Sequence, residues 1–69
     1  MSCTRAETLR ALRIWNAPVS TATLAEWMRK PRYLVSCNLT ALYARDLIDR
    51  DQDPIYRNRY LYKPKQVNA

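Results

Sequence analysis

Apolar residues recur along the chain at two different spacings. Leu9, Leu12 and Trp15 stand three apart, the stripe of one helix face. Leu24, Ala25 and Met28 mark a second such face, and Val35, Leu39 and Leu42 a third. From Tyr56 onward the period changes. Tyr56-Arg57-Asn58-Arg59-Tyr60-Leu61-Tyr62-Lys63 sets tyrosine at alternate positions, the two-residue repeat of a strand. The pattern predicts helices over about Thr4–Asn16, Thr21–Met28 and Pro31–Arg45. A short strand, Leu47–Arg50, and a turn at Asp51–Pro54 then lead into the tyrosine-rich strand.

Glycine is absent, so helix stops and turns fall to Asn, Asp and Pro. Thr4-Arg5-Ala6-Glu7 has the form of a capping box. Asn16-Ala17-Pro18 ends the first helix, because proline disfavours helix in the residue before it. Ser20 is the expected N-cap of the second helix. Pro31 can open the third, where its missing N–H costs nothing. Asp46 stands where a left-handed cap is needed, and aspartate is one of the few residues that tolerate that conformation. Pro64 closes the last strand. The reading is one domain over residues 1–63 and a flexible C-terminal tail over 64–69.

Two hairpin strands alone are marginal in water. They must rest on the helices, which makes the chain an α+β unit of three helices followed by a two-stranded β-hairpin. The expected core is Leu9, Leu12, Leu24, Ala25, Val35, Leu39, Leu42 and Ile48. Alternation places Tyr56, Tyr60 and Tyr62 against the helices. Trp15 and Trp27 are read as core or core margin rather than as stacking platforms.

Size and charge narrow the function. A domain of 69 residues buries only about 60% of the surface its unfolded chain exposes. It has little room for an enclosed active site, and no enzyme is expected. Hydrophobic residues at 48% exclude wholesale disorder. Twelve Lys and Arg against six Asp and Glu leave a net charge of +6, which favours an anionic partner, nucleic acid before membrane. Most of these cations are arginine, the residue suited to bidentate phosphate and guanine contacts.

The opening MSCTRAETLR has no apolar signal core. No apolar run approaches the roughly 20 residues of a membrane span. A cytoplasmic protein is expected, with Cys3 and Cys37 reduced and Cys3 in a fraying terminus. Without histidine the two cysteines make no zinc site. Asp46, Asp49, Asp51 and Asp53 lack the spacing of a calcium loop. They are assigned to capping, turn formation and strand specificity, and they leave the base of the hairpin locally acidic. No cofactor or metal is expected.

If Val35, Leu39 and Leu42 face the core, Ser36, Cys37 and Thr40 face away, with Tyr43 further along. Arg32 and Tyr33 lie at the start of that helix. Arg57 and Arg59 flank Asn58 in the hairpin.

This order of elements resembles the bacterial winged helix-turn-helix regulators, the short prophage and fimbrial-operon types among them. Leu24-Ala25 matches their second helix. Val35, Leu39 and Leu42 match the third, Asp46-Leu47-Ile48 the stop after it, and Arg57-Asn58-Arg59-Tyr60-Leu61-Tyr62 the basic wing and its strand. The chain departs from the pattern in three places. Arg29-Lys30 fills a turn that usually carries glycine, Pro31 replaces a serine cap, and Asp46 replaces a glycine.

The resemblance implies sequence-specific binding of double-stranded DNA by a small transcriptional regulator. The third helix would enter the major groove with Arg32, Tyr33, Ser36, Cys37 and Thr40. The wing would hold backbone or minor groove with Arg57, Asn58 and Arg59. Arg29 and Lys30 are candidate phosphate contacts, as are Arg5, Arg10 and Arg13. With no further helix to form an interface, a monomer or weak homodimer is expected. The runner-up is a protein-interaction adaptor on the same fold, docking a larger regulator or polymerase subunit through Trp27, Tyr33 and Tyr43. A third reading is an excisionase-like factor that bends DNA.

Overall fold

The helices are bounded by caps already visible in the residue types. In the computed structural model, which describes residues 3–65, the Thr4 hydroxyl accepts from the Glu7 amide at 3.1 Å and opens α1 (Arg5–Trp15). Asn16 closes it with φ 53°, its amide donating to the Leu12 carbonyl. The Ser20 hydroxyl accepts from the Thr23 amide at 3.2 Å and opens α2 (Thr21–Met28). Arg29 closes that helix with φ 58°. Pro31 precedes α3 (Arg32–Ala44), and Asp46, at φ 61°, turns the chain out of it. The left-handed conformation expected at Asp46 is therefore present, and Arg29 adopts it as well.

Three strands follow the same logic of short reach. β2 (Ile48–Gln52) pairs antiparallel with β3 (Tyr60–Pro64), Gln52 opposite Tyr60 and Arg50 opposite Tyr62. A two-residue strand, β1 (Val19–Ser20), pairs antiparallel with the other edge of β3, giving the order β1-β3-β2. The two-stranded hairpin is thus completed by a third strand. Two residues carry no period, so Val19 reads in sequence as a lone apolar residue.

The hairpin also differs in its register. Asp51 and Gln52 belong to β2 rather than to a turn, and the tyrosine strand begins at Tyr60 rather than Tyr56. Residues 53–59 form the wing loop between them. Alternation therefore fails for two tyrosines. Only Tyr62 is buried, while Tyr56 and Tyr60 are exposed. Tyr56 lies in the loop, and Tyr60 sits where the strand leaves it. At the other end β3 runs through Pro64, and Lys65 pairs with Asp46 at 2.6 Å. Residues 66–69 of the expected tail lie outside the described residues.

The core gathers Ala11, Leu12, Val19, Leu24, Ala25, Val35, Leu39, Leu42, Ile48 and Tyr62. Leu12, Leu24, Leu39 and Ile48 are wholly buried, each worth about 1.5–3 kcal/mol relative to exposure. Leu9, expected in the core, is only half-buried and packs at its margin with Cys3, Trp15 and Met28. Trp15 meets Trp27 edge-on at 5.5 Å, yet Trp27 remains 48% exposed.

One buried polar knot replaces apolar packing between α1 and α3. Thr8 is fully buried, its hydroxyl donating to the Thr4 carbonyl at 3.2 Å. It accepts from the Asn38 amide group at 3.0 Å, and that amide also donates to the Cys3 carbonyl at 3.0 Å. Cys3 is held against the helices by these bonds, not frayed. Both cysteines are free thiols, Cys3 half-buried and Cys37 exposed.

Among the described residues no helix is long and apolar enough to cross a membrane.

Candidate nucleic-acid interface

α2, the turn at Arg29-Lys30 and α3 make a helix-turn-helix, and the β2–β3 loop is its wing. The two parts meet at an open cleft of about 350 Å³. Arg32 and Ser36, one turn apart on α3, form one wall. Asn58, Arg59, Tyr60 and Tyr62 form the wall toward the wing, and Ser20, Thr21 and Ala22 close the end. Four of the residues read from the sequence, Arg32, Ser36, Asn58 and Arg59, are thus brought together. Tyr33, Cys37 and Thr40 are exposed on α3 but do not line the cleft. Arg29 is exposed at the turn, beside a half-buried Lys30. Arg5, Arg10 and Arg13 are exposed on α1, also outside the cleft.

The wing loop is folded around one carboxylate. Asp53 is 6% exposed although it lies in a loop. One of its oxygens accepts from the amides of Ile55 at 2.8 Å and Tyr56 at 3.3 Å. The other faces the Arg59 guanidinium at 3.3 Å. Its own amide donates to the Arg59 carbonyl at 2.8 Å, and the Gln52 side-chain amide donates to the Arg57 carbonyl. The Ile55 amide, then that of Tyr56 and the Arg59 charge, hold the Asp53 carboxyl below the usual carboxylate range.

This arrangement makes the two wing arginines unlike. Arg59 is folded back onto Asp53, with its guanidinium 4.8 Å from the Tyr56 ring centre. Arg57 is exposed and makes no ion pair among the described residues.

The acidity expected at the wing base is largely offset. Asp51 pairs with Lys63 at 2.7 Å and Asp46 with Lys65 at 2.6 Å. The hydrogen bond from Lys63 to Asp51 raises the ammonium pKa above its ordinary value, and Asp46 does the same for Lys65. Among the described residues no group of three or more metal-binding side chains occurs.

Sequence reasoning placed Asp53 in a turn but missed its pairing with Arg59, and it missed Tyr60 as a cleft wall and the start of α2 as the cleft's end. The signal for the last was present, since the Ser20 cap fixes where α2 begins.

Three helices with a helix-turn-helix, a three-stranded antiparallel sheet and a loop projecting from its hairpin define a winged-helix fold. Solved structures agree. PcaV, a transcriptional regulator from Streptomyces coelicolor determined with its natural ligand, superposes with a TM-score of 0.76 at 22% identity, covering 94% of this chain and 45% of that one. A probable transcriptional regulator from Pseudomonas aeruginosa gives 0.76 at 22% identity, with 94% and 48% covered. A MarR-like transcriptional regulator from Thermotoga maritima gives 0.69 at 21%, with 96% and 46% covered. These neighbours are transcriptional regulators, not enzymes, and the chain spans a little under half of their length. No protein-family model and no curated protein matches the sequence.

Proposed function

We propose that this chain binds double-stranded DNA with sequence specificity, as the DNA-reading unit of a bacterial or phage transcriptional regulator in the cytoplasm. The observation that carries the reading is the cleft that sets Arg32 and Ser36 of α3 beside Asn58 and Arg59 of the wing. A helix laid in the major groove reads bases from the residues near its N-terminus. Arg32 stands there and can bond guanine at two atoms, while Tyr33, Ser36, Cys37 and Thr40 share the exposed side. Arg57 and Asn58 sit on the adjacent wing, where a cation meets phosphate or a narrow minor groove. Arg29 and Lys30 would grip phosphate at the turn. The net charge of +6 supports the same partner. The chain would act as a monomer or a weak homodimer.

The test is selection of bound duplexes from a random pool. Fluorescence anisotropy on the selected and a scrambled duplex across a salt series then follows. Arg32→Ala should lose roughly 1–3 kcal/mol of discrimination at one base pair. Arg57→Ala should weaken both duplexes alike and lower the salt slope by about one. Arg59→Ala should lower it less, because Asp53 already faces that charge. Absence of binding to either duplex at low salt would sink the proposal.

A second reading, a protein-docking adaptor, is favoured by the exposure of Trp27 at 48% and Tyr33 at 68%. Retention of a partner subunit with no affinity for heparin would support it instead.

A further inference from the structure

Sequence reasoning gives Arg50 no functional role, yet it occupies the junction of α3 and the wing strand. Its guanidinium carbon lies 4.1 Å from the ring centre of Tyr43 and 4.2 Å from that of Tyr60. Tyr43 belongs to α3 and Tyr60 is the first residue of β3, where the strand leaves the wing. One flat cation is therefore held between the helix and the wing strand. Its partner across the strands is Tyr62. Among the described residues no carboxylate pairs with it.

The two ends of this stack lead to the candidate interface. Ser36, Thr40 and Tyr43 fall four and then three residues apart, on one stripe of α3. That stripe starts at the cleft and ends on Arg50. Tyr60 itself lines the cleft. A change in how Arg50 sits would move the wing against the helix without touching either set of contact residues. Lysine could not substitute, because a point ammonium cannot lie flat against two rings at once. An aliphatic residue would leave both tyrosine faces without a cation.

We infer that Arg50 is a positioning residue that fixes the angle between α3 and the wing by stacking between Tyr43 and Tyr60, rather than a DNA contact. The inference rests on the DNA-binding reading for its consequence, but the stack itself is tested without DNA.

The variants are Arg50→Lys, Arg50→Ala, Tyr43→Leu and the Arg50→Lys/Tyr43→Leu pair, each checked by thermal melting for a folded core. Two measurements are made. Hydrogen exchange should show the Asp53 and Arg59 amides, which close the wing loop, opening about tenfold faster in Arg50→Lys and Tyr43→Leu. Amides of α1 and α2 should not change. Binding to the selected duplex should weaken about tenfold in both variants at an unchanged salt slope, and the double variant should be no worse than the weaker single one.

Unaltered wing exchange in both variants would overturn the inference. So would a salt slope lowered by about one in Arg50→Ala and restored in Arg50→Lys, the behaviour of a phosphate contact. If the unaltered protein binds no duplex, the proposed function fails, and the exchange measurement alone still decides whether Arg50 holds the wing.

Discussion

Replacing Arg29 by glycine should make the chain more stable and a poorer ligand for DNA. Arg29 sits at φ 58° and ψ 43°, and its amide donates to the Ala25 and Glu26 carbonyls. A β-carbon in that conformation costs roughly 1–2 kcal/mol. Glycine removes the clash, but its freer unfolded chain takes back about 0.4–1 kcal/mol. The capping bonds are made by the backbone and survive the change. The net gain is about 0.5–1 kcal/mol. For a domain of this size each kcal/mol moves Tm by about 4–8 °C, so a rise of roughly 2–8 °C is expected.

Arg29→Ala is the control, since it removes the charge and keeps the β-carbon. It should show no such gain. Thermal melting by circular dichroism and urea unfolding at constant m-value measure both. DNA affinity should fall equally in the two variants, with the salt slope lowered by about one. A glycine variant no more stable than the alanine variant would refute the backbone reasoning. A glycine variant that binds DNA as well as the parent would remove Arg29 from the interface.

Leu39 is wholly buried among the core residues of all three helices, so Leu39→Ala should cost about 2–5 kcal/mol, read from urea unfolding. Asp53 has a folded pKa below its ordinary 3.8. Its contribution to the wing is therefore fully present above about pH 4 and lost as pH falls through the lowered folded value. Acid titration of the Ile55 and Tyr56 amides by NMR should show that step, and Asp53→Asn should abolish it.

Much of the fold was legible because its punctuation is chemical. Thr4 and Ser20 cap where a hydroxyl can accept an amide, and Asp46 takes the left-handed turn that its short side chain permits. Val35, Leu39 and Leu42 are buried at the spacing that announced them. Arg29 gave no such sign, since arginine has no preference for positive φ and the turn between two packed helices imposes it. The tyrosine alternation misled because a two-residue period runs on unbroken into a loop, and only the pairing of Gln52 with Tyr60 ends the strand. Arg32 and Ser36 could be placed on one helix face from spacing alone. That Asn58 and Arg59 lie across a cleft from them could not, because it depends on Asp53 closing the wing. The stack on Arg50 joins residues from three elements and has no local signature.

The strand at the centre of the sheet, β3, comes after every other described element in sequence, while its two neighbours come before it. A chain emerging from the ribosome can therefore complete the helices yet holds no sheet at all until residues 60–64 appear. At that moment Tyr62 reaches back to Val19 and sideways to Arg50, and both edges close together. Assembly of the cleft is consequently a single late event rather than a gradual one. Any nascent fragment stopping short of β3 would carry α3 without the paired strands that stand beside it.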